Sequence, residues 1–288
     1  MLLEERPAYS VRRRKTMQVA EWSTGNARQQ CDCLAVEEPL EIRVGGVTID
    51  RTMRTPGDDF ELAAGFLFTE GIIRHRSDIA RMAYRQGPDG PGSSNVIDVT
   101  PQVDKVIDLR RLPRNSHAVS ICRDLGKSSR VLAPEGGMRP SRRMFVDSQV
   151  LFRLPAALPS AEDAFDHTGG LHAAALFDAA GTLLSAREDI SPQNAVDKII
   201  GHALLEGPLP LSEHILFVSS RGAFAIVQKA LVAGIPMVAG MSPPSSQAVE
   251  LARENGLTLV ALLDGQRVVV YSGEGRLVSR TAARLKNA

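Results

Sequence analysis

The stretch that decides the fold is DHTGGLHAAALFDAAGTLLSAREDISPQNAVDKIIG, residues 166–201. The glycine pair Gly169-Gly170 allows unusual φ angles just before His172 and a run of small alanines. The acidic pair Glu188-Asp189 sits at a strand end. A helix start follows at Ser191-Pro192, because proline is favoured at the first helical position. These features are typical of a functional site, but a glycine turn and a capped helix also occur in ordinary cores, and both interpretations stay open.

C-terminal to this stretch, apolar runs alternate between strand and helix patterns, with glycine or proline at the breaks. Such alternation favours an α/β sandwich for the second half of the chain. The predicted elements are a helix at 148–153, which precedes the quoted stretch, and after the stretch a strand at 214–218, a helix at 223–232, a strand at 236–239, a helix from Ser245 or Ser246 to Asn255, and strands at 257–263 and 267–271.

N-terminal to it, the pattern is different. Apolar runs on both sides of Gly45-Gly46 predict a β-hairpin. Asp58 or Asp59 then begins a predicted helix that ends at Gly71. We therefore expect an α/β chain in two parts: an N-terminal tail at 1–33, a small β-rich α+β domain at 34–110, a mobile loop at 111–145 that contains Cys122, and an α/β domain at 146–288.

Composition excludes several classes of protein. The chain has 288 residues, with 34 Lys+Arg against 33 Asp+Glu, so its net charge does not indicate nucleic acid as a partner. The sequence has no apolar run of about 18 residues, which a membrane-spanning helix would need. No apolar segment follows the basic residues 12–15 as a secretion signal requires, so we expect a cytoplasmic protein. Its three cysteines are too few for a disulfide framework, and reduced thiols are expected.

Two phosphate and metal motifs fail on their spacing. The run Gly126-Lys127-Ser128 resembles the end of a P-loop, but that motif needs a glycine at position 121, which is Ile121. A zinc deaminase needs His-x-Glu, and His172 is followed two positions later by Ala174. Cys31 and Cys33 could bind a metal only with ligands from elsewhere. The sequence therefore predicts no metal site and no zinc.

Cys122 has the surroundings of a reactive thiol. Several cationic side chains lie within a few positions of it, and positive charge favours the thiolate, which is the nucleophilic form. A small side chain packed near Val119 and Ile121 is the competing interpretation. The cationic neighbours are Arg114, His117, Arg123, Lys127 and Arg130.

Five long segments of the chain resemble the FdhD family, the formate dehydrogenase accessory sulfurtransferases. The similarity runs from about Leu34 to Tyr271. The segments are AVEEPLEIRVGG at 35–46, TMRTPGDDFELAAGFLFTEGII at 52–73, TGGLHAAAL at 168–176, REDISPQNAVDKIIG at 187–201, and KALVAGIPMVAGMSPPSSQAVELARENGLTLVA at 229–261.

The resemblance implies a small N-terminal domain, a second domain of cytidine-deaminase-like fold, and a homodimer. It further implies that sulfur passes from a cysteine desulfurase, as a persulfide on Cys122, to the molybdenum cofactor. That cofactor, the bis-molybdopterin guanine dinucleotide, would be bound transiently before it enters formate dehydrogenase. The residues placed around it are Gly169, Gly170, His172, Asp189, Asn194, Asp197 and Lys198, with Leu262, Leu263, Asp264, Gly265, Gln266 and Arg267 as the C-terminal part of the site.

The chain departs from the family pattern at several positions. The family loop reads Ser-x-Cys-Gly-x-Cys-Gly-Lys, and in this chain Leu125 replaces the second cysteine, so one thiol carries the sulfur. At 188–194 the chain reads EDISPQN where the family has EDVGRHN, and 219–223 reads SSRGA in place of Ser-Gly-Arg-x-Ser. Asp264 replaces a cation that would pair with pyrophosphate.

Two other functions remain compatible with these residues. One is a non-catalytic chaperone that binds the guanine dinucleotide cofactor without moving sulfur. The other is a degenerate paralogue that acts only as an interaction partner. A cysteine hydrolase that uses Cys122 with His117 or His172 is less well supported, because no acid or amide is spaced to orient either histidine.

Overall fold

The computed structural model describes residues 2–4, 13–85, 95–102, 141, 143–158, 169–207, 209–263 and 267–279. The predicted loop at 111–145, with Cys122, lies outside them apart from 141 and 143–145, as do Asp264, Gly265 and Gln266. The α-helices in these ranges are α1 Asp59–Thr69, α2 Ser148–Leu151, α3 Pro192–Glu206, α4 Phe224–Val232 and α5 Ser246–Asn255. The strands are β1 Leu2–Glu4, β2 Arg14–Ser23, β3 Asn26–Ala35, β4 Glu38–Val44, β5 Val47–Arg54, β6 Ile79–Arg85, β7 Val96–Pro101, β8 Val146–Asp147, β9 His172–Asp178, β10 Leu183–Asp189, β11 His214–Arg221, β12 Met237–Ser242, β13 Thr258–Leu263, β14 Arg267–Ser272 and β15 Leu277–Val278.

The N-terminal sheet has five strands in the order β1-β6-β7-β4-β5. Its β4–β5 hairpin turns at Gly45 and Gly46, which both have positive φ (57° and 81°), as the sequence predicts. Burial alternates along β5, since one side of this edge strand faces the core and the other faces solvent. Helix α1 follows β5 directly and buries most of its residues against the rest of the molecule.

The second sheet has six strands in the order β10-β9-β11-β12-β13-β14. Its centre is parallel, because β11, β12 and β13 run in one direction and α4 and α5 connect them. Strands β9 and β14 are antiparallel to their neighbours. The predicted α/β fold class is therefore confirmed, and the strands and helices expected between residues 214 and 271 are present within a few residues of their predicted bounds.

Two glycines bring helices α1 and α3 into backbone contact. A Cβ placed on Gly65 would lie 1.8 Å from the Asp197 carbonyl oxygen, and one on Gly201 would lie 1.8 Å from the Glu61 carbonyl oxygen. The apolar side chains around this crossing form one core cluster that includes residues of the N-terminal sheet, both helices and the α/β sheet. The two parts of the chain thus share a core.

A second core cluster lies on the other face of the α/β sheet. Ala173, Ala175 and Phe177 of β9 contribute to it, and the short helix α2 covers it with Val150 and Leu151. Alternate residues of β9 enter the two clusters, because successive side chains of a strand point to opposite faces. The run of alanines in the stretch 166–201 is therefore a buried central strand.

Residues 14–35 form a ribbon of two antiparallel strands, β2 and β3, in a region where the sequence predicts mainly an N-terminal tail. The strands are joined at Thr24-Gly25, and Gly25 has a φ of 92°. No residue of either strand is buried, so the ribbon covers no apolar layer of its own. Backbone hydrogen bonds between β2 and β3 hold the ribbon together.

Candidate functional site

Three parallel strands of the α/β sheet end at one edge, which we call the carboxyl edge. Strands β11, β12 and β13 end there at Arg221, Ser242 and Leu263. Helices α4 and α5 begin just beyond β11 and β12, and α3 begins just beyond β10, which is parallel to β11. In open α/β sheets this edge is where ligands bind, since helix N-termini with free N–H groups collect there.

The first strand of the quoted stretch also reaches this edge. Strand β9 begins at His172, opposite Asp189 at the end of β10, so both residues lie at the carboxyl edge. Gly169 precedes the strand with a φ of 58°, whereas Gly170 is not among the residues with positive φ. His172 is half-buried in the first position of a strand, so it does not cap a helix.

Burial lowers the pKa of His172 below its ordinary 6.5, although the negative charge of Asp189 acts in the opposite direction. The imidazole is therefore neutral at neutral pH, and one of its nitrogens can accept a hydrogen bond. The next residue, Ala173, donates its N–H to Ser219 Oγ at 2.9 Å. Ser219 belongs to an irregular part of β11, where the register against β12 shifts.

Asp189 is fully buried and has four partners. Lys198 Nζ lies 2.8 Å from its Oδ2, and the Thr55 N–H donates to the same oxygen at 3.2 Å. The Ser191 N–H and Asn194 Nδ2 each donate to Oδ1 at 3.0 Å. A cation and three hydrogen-bond donors compensate the desolvation of this buried carboxyl group.

Lys198 and Asn194 extend this network to the N-terminal sheet. Lys198 Nζ donates to the carbonyl oxygens of Thr55 (3.1 Å) and Glu188 (3.0 Å). Asn194 Nδ2 donates to the Met53 carbonyl at 2.8 Å. The end of α3 nearest the carboxyl edge is thus joined by polar contacts to the end of β5.

Asp197 forms a second buried cluster between helices. Lys229 Nζ of α4 lies 2.9 Å from both carboxylate oxygens, and the Thr69 hydroxyl of α1 donates to Oδ1 at 2.9 Å. Lys229 also donates to Thr69 Oγ1 at 2.9 Å. Asp197 and Lys198 are only 2% and 1% exposed, so this part of α3 is not a solvated helix face.

The structure brings His172, Asp189 and Asn194 together near the carboxyl edge, with Asp197 and Lys198 one turn further along α3. The polar atoms of the last four are used in contacts within the protein, which hold α1, α3 and β5 in place. Direct contact between any of these residues and a cofactor stays a prediction.

The structure describes three of the six residues in the C-terminal part of the predicted site, namely Leu262, Leu263 and Arg267. Leu262 is buried at the end of β13, and Leu263 pairs with Arg267 of β14 across the undescribed turn. Arg267 is exposed at the carboxyl edge, as is Arg221 of β11. The predicted nucleophile Cys122 lies outside the described residues.

Sequence reasoning missed several polar residues that shape this region. Arg187 binds Glu61 of α1 with both its Nε and Nη2 atoms, at 2.5 and 2.7 Å. Lys229 was missed as well, although one lysine in the apolar run FAIVQKALV was a signal that its charge needs a buried partner. Glu61 and Thr69 gave no such signal. Helix α1 is buried on most of its sides, so its sequence does not show which polar residues face a partner.

At the carboxyl edge, the backbone at the end of β11 packs closely against Gly240 of β12. A Cβ on Gly240 would lie 2.9 Å from the Gly222 nitrogen and 3.0 Å from the Ser220 carbonyl oxygen. Glycine at position 240 therefore allows the irregular end of β11 to pass close to β12. A backbone bulge of this kind is common beside binding sites, because it redirects nearby side chains.

Two classes of site have no support in the described part of the chain. Among its residues, no three His, Cys, Asp or Glu side chains are grouped so that they could hold a metal ion. None of its helices combines the length and the apolar content that a membrane crossing needs. Cys31 and Cys33 both lie on β3, the first exposed and the second partly buried.

Comparison with known proteins gives one consistent family. A model of the FdhD/NarQ family matches residues 35–278. The sulfur carrier protein FdhD of Streptomyces avermitilis is 44% identical over 281 residues, which cover 94% of this chain and 97% of that protein. The protein of the same name from Mycolicibacterium paratuberculosis is 45% identical over 270 residues, 90% of this chain and 97% of that one.

A solved structure shares the fold. The crystal structure of a candidate formate dehydrogenase accessory protein from Desulfotalea psychrophila superposes with a TM-score of 0.73, covering 93% of this chain and 100% of that one. Its sequence identity is 22%, so this likeness concerns the fold alone.

Proposed function

This chain belongs to the FdhD/NarQ family, and from that premise we propose that it is a sulfur carrier, with Cys122 as the sulfur-accepting residue. The observation that carries the proposal is the match of the family to residues 35–278, supported by relatives named as sulfur carriers over nearly their whole length. The proposed donor is a cysteine desulfurase, and the proposed acceptor is the molybdenum cofactor of formate dehydrogenase.

In the first step, the Cys122 thiolate attacks the terminal sulfur of a persulfide on the desulfurase. A bond forms between Cys122 Sγ and that sulfur, the sulfur–sulfur bond of the donor breaks, and the donor cysteine leaves as a thiolate. Basic neighbours of Cys122 in the sequence, such as Arg123 and Lys127, favour both the attacking thiolate and the persulfide anion. No oxidant or reductant is consumed in this exchange.

Release of the sulfur as hydrosulfide needs two electrons. A thiolate that attacks Cys122 Sγ supplies them: a disulfide forms, the Sγ–sulfur bond breaks, and hydrosulfide leaves toward molybdenum. In the family loop a second cysteine is available for this step. Leu125 stands in that position here, so we propose that the thiol comes from outside the loop.

The cofactor substrate carries guanine dinucleotide pyrophosphates, and the carboxyl edge has features that suit an anion. Helices α3, α4 and α5 all begin there, and the exposed cations Arg221 and Arg267 lie at the ends of β11 and β14. Helix N-termini and guanidinium groups both favour phosphate. The neutral His172 at the same edge adds a hydrogen-bonding group without adding charge.

Mass spectrometry tests the sulfur-carrier step directly. After incubation with a cysteine desulfurase and cysteine, the protein is expected to gain the mass of a sulfur atom, and dithiothreitol is expected to remove it. The Cys122→Ser variant should gain none, while the matched control with both Cys31→Ser and Cys33→Ser should gain sulfur like the wild type. Sulfur on Cys31 or Cys33 in place of Cys122 contradicts the assignment.

Titration with GDP tests the cofactor-binding part. Saturable binding that Arg221→Ala weakens, and that the control Arg28→Ala on the ribbon leaves unchanged, supports a phosphate site at the carboxyl edge. Saturable binding without sulfur transfer would favour the chaperone alternative. The absence of both would favour a pure interaction partner. We also propose that the protein is a homodimer in the cytoplasm. Its oligomeric state can be measured directly in solution.

A further inference from the structure

The ribbon formed by β2 and β3 exposes both of its faces. Each strand has 10 residues, and none of the 20 is buried. An isolated two-stranded ribbon of this kind is at most marginally stable in water, because it has no apolar layer to cover. Trp22 near its tip is 80% exposed, the largest exposure among the exposed large apolar residues of the described part. The ribbon therefore has the character of an arm that packs against another surface.

The two faces of the ribbon differ in charge. Directly paired residues of antiparallel strands share a face, and successive pairs alternate between faces. The face that contains Trp22 carries no charged side chain beyond the base of the ribbon, and we call it the uncharged face. Its pairs are Thr16–Cys33, Gln18–Cys31, Ala20–Gln29 and Trp22–Ala27.

The opposite face carries the charges. Glu21 pairs with Arg28, and their side chains are in contact at 2.5 Å. Lys15 and Asp32 lie on the same face nearer the base. Met17, Val19 and Leu34 lie on this face too, but its charged groups disfavour burial without partners, so it is less suited to the core of an interface. Interface cores, by contrast, are poor in charge and rich in tryptophan, which matches the uncharged face.

We infer that the uncharged face of the ribbon docks on a second copy of this chain, so that each copy's ribbon lies on the body of the other. This inference deepens the homodimer of the proposed function, on which it rests, by naming the surface that forms it. A symmetric dimer uses the same patch twice, so both ribbons are covered at once.

The base of the ribbon is already held in place. Arg13 Nη2 forms an ion pair with Asp58 Oδ2 at 2.7 Å, and the Val36 N–H donates to the Arg13 carbonyl at 3.0 Å. The direction in which the ribbon leaves the molecule is therefore set before docking. Preorganisation of this kind reduces the entropy lost on association.

The size of the ribbon fits a reciprocal dimer. Ten residues per strand at about 3.3 Å each, and two strands about 4.8 Å apart, give a face of roughly 330 Å². One face is too small for a stable interface, which buries about 800 Å² per partner. When each copy both donates and receives a ribbon, the area doubles to roughly 660 Å² per copy, which approaches that value.

The charge of the ribbon also favours a second copy over a charged partner. Three cations, Arg14, Lys15 and Arg28, stand against two anions, Glu21 and Asp32. A nearly neutral arm attracts neither nucleic acid nor an acidic surface over a distance. It meets no strong repulsion from an identical molecule, whose own net charge is +1.

Trp22 is the only tryptophan of the chain, so its fluorescence reports on the ribbon alone. Light scattering after gel filtration should give the mass of a dimer, and dilution into monomer should shift the Trp22 emission to longer wavelength and increase quenching by acrylamide. Ala20→Glu on the uncharged face should weaken the dimer by roughly 100-fold or more, because each dimer would bury two unpaired carboxylates.

The matched control is Gln30→Glu, which adds the same charge to the opposite face and should leave the dimer intact. Both positions are exposed, so circular dichroism should show unchanged folding. The inference is overturned by a monomeric wild type, by a dimer in which Trp22 remains open to acrylamide, or by an Ala20→Glu protein that dimerises normally. None of these readouts involves sulfur, so a dimer of this kind that accepts no sulfur contradicts only the sulfur-carrier proposal.

Discussion

Replacing Gly65 by alanine tests the contact on which the junction of the two parts depends. Helices α1 and α3 cross at Gly65 and Gly201, where each glycine lies against the backbone of the other helix. On an exposed helix, a change from glycine to alanine stabilises by about 1 kcal/mol, because alanine has the higher helix propensity. At this crossing the added methyl group has no room.

The size of the effect follows from the distances. The new Cβ would lie 1.8 Å from the Asp197 carbonyl oxygen and 2.9 Å from the Gly201 nitrogen. Non-bonded heavy atoms need about 3.5 Å, so the helices must separate by roughly 1.7 Å. Overpacking typically costs about 1–3 kcal/mol when side chains can adjust. Here the obstacle is backbone, so we expect Gly65→Ala to lower the free energy of unfolding by about 2–4 kcal/mol after the gain in propensity.

Urea denaturation followed by circular dichroism measures this change. Gly275→Ala is the control, because its Cβ would have nothing within 4 Å and the position has no positive φ. Gly201→Ala should behave like Gly65→Ala, and the double variant should lose less than the sum of the two, since the first substitution already separates the helices. A Gly65→Ala protein as stable as the wild type, or more stable, would refute the reasoning.

Three further predictions concern polar contacts. Lys198→Met leaves the buried carboxylate of Asp189 without its cation, and we expect a loss of about 3–5 kcal/mol in urea unfolding, against almost none for Lys15→Met on the ribbon. Burial raises the pKa of Glu41, but hydrogen bonds from neighbouring cations outweigh burial and bring the pKa from 4.5 to about 2. The contribution of Glu41 to the free energy of unfolding should therefore be complete above pH 4.5 and be lost as the pH drops through about 2. Glu41→Gln should remove that part of the acid dependence. Ser245→Ala removes the side chain that accepts the Ala248 N–H at the start of α5 and should cost about 1 kcal/mol in the same urea assay, whereas Ser246→Ala should cost clearly less.

Local chemistry explains why the helices and strands of the α/β domain were predictable. Pro192 begins α3, Ser245 caps α5 through the Ala248 N–H, and Gly256 ends it with a φ of 66°. Each of these signals acts through neighbours in the chain. The ribbon was missed because its strands have no buried face and show only a short apolar alternation, at Met17 and Val19.

Only part of the arrangement at the carboxyl edge follows from residues that are close in sequence. His172 and Asp189 come together because adjacent antiparallel strands place them opposite each other, and the order of glycine turn, strands and helix in one stretch already indicates such an arrangement. The partners of Asp189 and Asp197 lie on other elements, including Thr55, Thr69 and Lys229. Each of these three residues lies more than 30 positions from the aspartate that it contacts, and no local rule reaches that far.

The sequence by itself determined the order of strands and helices in the α/β domain and, through its motifs, the family. Only the tertiary structure decided that acidic and basic residues of α3 are buried rather than solvated, and that Gly65 and Gly201 are needed for contact rather than for flexibility. Secondary structure follows from interactions within a few residues, whereas burial and charge pairing depend on which distant segments the fold brings together.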